Sequence, residues 1–134
     1  MSLYLLDTNI ASYAIKGAEP EVRRRLAGVP TAQTGVSAVT EAELRYGVAR
    51  RPGSPRLAEI VDAFLLRASV YPWDSAAARE YGLLRAALEG QGRAMGNLDM
   101  MIAAHAIALG AVLITHDRAF ARIKQLKTED WTRA

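Results

Sequence analysis

The chain has 134 residues, 51% of them hydrophobic and none of them cysteine, which suits one domain with its own core and excludes a disulfide framework or a Cys-based zinc site. Seventeen Lys and Arg stand against 14 Asp and Glu, a net charge of +3 that by itself identifies no partner. The stretch from Met1 to Asp7 lacks a basic leader, and no apolar run approaches the roughly 20 residues of a membrane helix, so a soluble cytoplasmic protein with a single domain over residues 1–134 is expected.

Leu3 to Leu6 is a short apolar run ending in an acid and predicts a buried strand. Asn9 to Lys16 then predicts a short helix stopped by Gly17, and Pro20 to Ala27 a second, with proline in its first turn. Thr31 to Val36 alternates as a strand does. Ala38 to Arg51 and Arg56 to Ala68 are helical patterns divided by the turn Arg51-Pro52-Gly53-Ser54-Pro55. Val70 to Pro72 predicts a brief strand, and Ser75 to Glu89 a long alanine-rich helix. After a softer break from Gly90 to Gly96 comes a nearly all-apolar helix from Leu98 to Leu109, with Asn97 as its N-cap. Ala111 to Thr115 is a strand, and Arg118 to Lys124 a last helix. Strands alternating with helices define an α/β class, a mainly parallel sheet covered on both faces. Ligands collect outside the carboxyl ends of such strands, where Asp7 and Asp117 both fall.

Four acids are candidates, and each has a plain structural reading. Asp7 can cap the first helix and Asp117 the last. Thr40-x-x-Glu43 has the spacing of a capping box, while Asp99 in a first turn suits the helix dipole. The helix behind Asp99 is so apolar, however, that its start lies near the interior, where an acid is costly unless paired or bound to a cation. Four carboxylates at one sheet edge repel each other unless cations lie between them. An all-oxygen set favours Mg²⁺ or Mn²⁺, and two such ions roughly 3.5–4 Å apart suit phosphodiester cleavage. If four of the 14 acids hold cations, 17 basic side chains face 10 acidic ones, a surface that attracts a polyanion. Among the arginines, Arg45 and Arg93 are candidates for holding a nucleic-acid backbone. Thr8, Asn9 and Thr115 flank acids and suit hydrogen bonds that orient carboxylates. His105 lies about 240° round its helix from Asp99 and should pack elsewhere; His116 is a loop histidine within reach of a substrate. Walker loops, GxGxxG, HExxH and Gly-x-Ser-x-Gly are absent from the sequence.

Taken together, Leu5-Leu6-Asp7-Thr8-Asn9, Ser37-x-x-Thr40-x-x-Glu43-Leu44-x-Tyr46-Gly47, Leu98-Asp99-Met100-Met101-Ile102-Ala103-Ala104-His105-Ala106, Leu113-Ile114-Thr115-His116-Asp117 and the closing Glu129-Asp130-Trp131 resemble a PIN-domain ribonuclease of the VapC toxin type. The resemblance implies a three-layer α/β/α domain and Mg²⁺- or Mn²⁺-dependent endonucleolytic cleavage of RNA. It also implies a cognate antitoxin and a homodimer. Asp7, Glu43, Asp99 and Asp117 fall on its acidic positions, Thr115 on its small hydroxyl position and Asn9 on the polar residue after the first acid. His116 replaces the more usual asparagine, and Met100-Met101 the usual leucines. A receiver-like Mg²⁺-binding signalling domain and a PIN-like protein that binds RNA without cutting it are the alternatives.

Overall fold

The computed structural model describes residues 2–93 and 95–134; Met1 and, within the break from Gly90 to Gly96, Ala94 lie outside them. In chain order the elements are β1 (Tyr4–Leu6), α1 (Thr8–Lys16), α2 (Pro20–Ala27), β2 (Thr34–Ser37), α3 (Ala38–Ala49), α4 (Pro55–Arg67), β3 (Ser69–Tyr71), α5 (Ser75–Gly90), α6 (Asn97–Leu109), β4 (Val112–Ile114) and β5 (Lys127–Glu129). The five strands form one sheet in the order β3-β2-β1-β4-β5. Every pairing is parallel, with Leu5 opposite Gly35 on one side and Leu113 on the other.

Successive strand residues point to opposite faces of a sheet, and both central strands use this to seed two cores. Leu5 and Leu113 enter one, with Leu84 and Leu88 of α5, Met100, Ile102 and Ala106 of α6, and Phe120. Leu6 and Ile114 enter the other, with Ile10, Val22, Leu44 and Val61 from α1 to α4. The result is the expected three layers, with a central sheet buried on both faces. α6 is apolar nearly all round because it is covered from both sides, with Met100 and Ile102 to Ala106 all buried. Gly35 has a steric reason: a Cβ there would come within 2.5 Å of the Tyr71 ring and 2.7 Å of the Ser69 carbonyl.

Several boundaries differ from the sequence reading. Thr31 to Gln33 form a turn of 3-10 helix after Pro30, with Gln33 N–H donating to the Pro30 carbonyl at 2.9 Å, so the strand begins only at Thr34. Gly96, not Asn97, is the N-cap of α6. The last helix is five residues of 3-10 helix, Arg118–Arg122. Strand β5 escapes the sequence pattern because Lys127-Thr128-Glu129 is a polar edge strand, the form in which exposed sheet edges are usually tolerated. Just beyond it Trp131 is buried against Tyr4, ring centroids 5.3 Å apart, and closes the second core.

Candidate active site

The strand order reverses direction between β1 and β4: β2 and β3 lie to one side of β1, β4 and β5 to the other. In open parallel sheets the crevice at such a switch point is where ligands bind. Asp7 follows β1, Thr115 and Asp117 follow β4, and the two strands are locked together there by Asp7 N–H donating to the Ile114 carbonyl at 3.0 Å. The start of α6 brings Asp99 to the same edge, and α3 brings Glu43.

Capping and gathering turn out to be one arrangement. Asp7 accepts from Ile10 N–H at 2.9 Å and so fixes the start of α1, while Asp117 accepts from Ala119 N–H at 2.9 Å. Neither bond removes the carboxylate from the crevice. Burial pushes the Asp7 carboxyl up to about 6; hydrogen bonds from the Thr115 side chain and Ile10 oppose this, and the charges of Asp99 and Asp117 reinforce it. Asp99 is likewise raised, by burial and then by the charges of Glu43 and Asp117. Asp99 is therefore coupled to each of the other three acids, and Asp7 to Asp117 as well.

Glu43 does not complete a capping box. The N-cap of α3 is Ser37, whose hydroxyl accepts from Val39 N–H at 3.1 Å, and it stands six residues before Glu43 where a capping box needs three. Its carboxylate instead accepts from the Thr8 hydroxyl, which also lies 3.2 Å from Thr40 Oγ1. Thr115 bridges two acids, since its hydroxyl bonds Asp7 and accepts from Asp117 N–H at 3.0 Å. Asn9 is exposed on the rim of the groove that Thr8 and Glu43 also line.

Both histidines are engaged elsewhere. His105 is buried with Nδ1 2.7 Å from Ser37 Oγ, and its ring also hydrogen-bonds the Pro72 backbone. Burial lowers its pKa against the opposing pull of Asp74 and Pro72, leaving a neutral ring that ties α6 to the start of α3. His116 Nδ1 lies 2.8 Å from Asp130 Oδ2. Burial raises the Asp130 carboxyl, but bonds from Thr132 and His116 outweigh it and bring it to about 2. Among the arginines, Arg45 is occupied by Asp62 at 2.9 Å and Glu41 at 3.5 Å, which disfavours it as a phosphate ligand. Arg93 instead lines a cavity of about 280 Å³ with Arg122 and Lys124, a recess that includes no acid.

Among the described residues, no three Asp, Glu or His side chains are already drawn tightly enough to hold one ion between them. The donor set nonetheless fits a hard divalent cation: Mg²⁺ keeps most of its waters and takes only one or two carboxylates directly, and a cation there relieves both the burial of charge and the repulsion that raise Asp7 and Asp99.

A doubly wound α/β domain whose concentrated chemistry is carboxylate at the switch point belongs to the class of acid-site phosphodiester hydrolases. The receiver alternative has a different strand order, 2-1-3-4-5. The family model of the PIN domain matches residues 4–126. The chain is 38% identical over 133 residues to the tRNA(fMet)-specific endonuclease VapC of Shigella flexneri, covering 98% of this chain and all of that one. It is 35% identical over 132 residues to Ribonuclease VapC2 of Haemophilus influenzae, covering 98% and 99%. Among solved structures, DNA-bound VapBC from Salmonella typhimurium superimposes with a TM-score of 0.91 at 35% identity, covering 98% of this chain and 99% of that one. VapBC2 from Rickettsia felis, bound to a promoter fragment, gives 0.88 at 34% identity, covering 96% and 98%. The chain belongs to the PIN-domain family, on the branch formed by the VapC ribonucleases.

Proposed function

We propose that this chain is the toxin of a toxin–antitoxin pair, an endoribonuclease that hydrolyses RNA phosphodiesters with Mg²⁺ or Mn²⁺ held by Asp7, Asp99 and Asp117, directly or through water. The supporting observation is the gathering of four acids from four separate segments at one sheet edge, where burial, reinforced by neighbouring carboxylates, raises Asp7 and Asp99. Once bound, the cation supplies charge neutralisation at the scissile phosphate and a water acidic enough to act near neutral pH. Glu43, held by the Thr8 hydroxyl, orients the attacking water and accepts its proton. Thr115 holds Asp7 and the Asp117 backbone in register. Attack by water leaves a 5′-phosphate and a 3′-hydroxyl.

The antitoxin is proposed to block the same crevice, as the VapBC complexes are pairs, and the active form to be a homodimer. Two relatives are named as tRNA(fMet)-specific, so transfer RNA is the first substrate to try. The test is incubation of purified protein with total RNA and with transfer RNA, with Mg²⁺, with Mn²⁺ and with EDTA, followed by mapping of the ends. Cuts carrying 5′-phosphates in the metal arms alone are expected; EDTA-resistant cutting would overturn the metal assignment.

The free cations yield a second expectation. Replacing Arg122 and Lys124 with alanine should weaken RNA binding at every sequence and reduce the salt dependence by about one unit of slope per cation removed. Arg45→Ala should leave that slope unchanged, as measured by filter binding across a salt series.

A further inference from the structure

Helix α3 carries a feature that the fold does not require. Tyr46 is 65% exposed and Leu98, beside Asp99, is 48% exposed. Between them lies a shallow groove of about 410 Å³ that Thr8, Glu43, Gly47 and Arg50 also line. Glu43, Tyr46, Gly47 and Arg50 follow the spacing of one helix face, so the groove runs directly from the candidate general base. The Arg50 guanidinium lies over the Tyr46 ring, 5.5 Å from its centroid, and so occupies one of its faces, while the residue as a whole stays 65% exposed.

Gly47 sharpens the point. Glycine inside a helix is unfavourable compared with alanine, and packing usually explains its presence. Here a Cβ would meet nothing within 4 Å. Packing therefore does not require this glycine, and its lack of a side chain leaves the groove floor open.

We infer that Tyr46 is a stacking platform for one unpaired base of the substrate RNA adjoining the scissile phosphate, with Gly47 leaving room for the base and Arg50 taking the neighbouring phosphate. The inference rests on the ribonuclease reading and adds to it a residue that selects unstacked strands. An aromatic ring accepts any base on its face, whereas a duplex cannot present one. Charge favours a nucleic acid over a protein side chain as the occupant: the adjoining groove along α1 and α3 adds Lys16 and Arg51 to Arg50, against Glu43 as its one acid.

The test uses a synthetic RNA cut at one mapped bond, abasic versions with single bases removed on either side of that bond, and the parent, Tyr46→Ala, Tyr46→Phe and Gly47→Leu proteins. Tyr46→Ala should lose about 5- to 100-fold in kcat/KM, mostly through KM, and Tyr46→Phe should be close to the parent. Gly47→Leu should retain the melting temperature of the parent and lose activity as Tyr46→Ala does. At one flanking position, removing the base should cost the parent the same factor and cost Tyr46→Ala nothing more. Equal activity of Tyr46→Ala and parent would overturn the inference, as would losses that multiply at every abasic position. It would also fall if Tyr46→Ala weakened only neutralisation by a protein partner. Failure of the parent itself to cut any RNA would instead overturn the ribonuclease reading.

Discussion

Replacing Asp99 with asparagine should lower RNA cleavage by about 10³-fold at saturating substrate and leave the protein folded, with a melting temperature without metal no lower than the parent's. Asp99 is the acid whose field reaches all three others, and its own carboxyl is raised by burial, by Glu43 and by Asp117. Asparagine has nearly the same shape, so α6 keeps its packing against the sheet. What is lost at the helix start is one dipole interaction, worth about 0.3–1 kcal/mol, and relief of repulsion with the neighbouring carboxylates offsets it. The chemistry has no such compensation, because an amide neither binds a hard cation as a carboxylate does nor neutralises it. Gel-based cleavage with Mg²⁺ and a thermal melt on the same preparation separate the two effects. Activity within a few-fold of the parent would remove Asp99 from the site; a collapsed melt would make it a structural residue.

How far the sequence alone could reach depended on the range of each interaction. Asp99 was legible because the apolar run behind it places its helix start near the interior, a local signal. Asp7 and Asp117 were legible as strand ends, and capping does not take them apart, because the two capping carboxylates still feel each other's charge at the sheet edge. Glu43 was not placed by its neighbours. Thr40-x-x-Glu43 looks like a cap from within the helix, and only the crossing of α1 over α3 brings Thr8, 35 residues earlier, onto its carboxylate. His105 was correctly turned away from Asp99, but its bond to Ser37 spans 68 residues and has no local trace. His116 looked free for substrate until the chain returned through β5 with Asp130. Strand β5 itself has too little apolar content to announce a strand, since an edge strand needs none. Tyr46 and Arg50 lay in plain view at helical spacing from Glu43, yet an exposed aromatic signals a site only once the surface is known.

The second large effect is on stability, and its sign is opposite to that of carboxylates held by ion pairs or hydrogen bonds. Asp7 is 5% exposed and its carboxyl is raised from 3.8 to about 6, chiefly by burial. A raised folded-state pKa means that the folded state holds its proton more tightly than the unfolded chain does. The associated stability is fully present below pH 3.8 and is lost as pH rises through about 6. The difference corresponds to about 3 kcal/mol, so the metal-free protein should melt at a lower temperature at pH 7.5 than at pH 5. Asparagine at position 7 has no charge to desolvate, and its carbonyl can still accept from Ile10 N–H. Asp7→Asn should therefore melt roughly 10 °C above the parent at pH 7.5 without metal, show a smaller dependence on pH between 5 and 7.5 than the parent, with the raised Asp99 carboxyl as a remaining source, and cleave no RNA. Adding Mg²⁺ should raise the melting temperature of the parent and not that of the variant, because only the carboxylate is relieved by a cation. Melts at pH 5, 6 and 7.5, each with Mg²⁺ or EDTA, measure all of this. If Asp7→Asn were less stable than the parent at pH 7.5 in EDTA, Asp7 would be a stabilising cap whose charge the fold welcomes, and the strained carboxylate at the switch point would have to be abandoned.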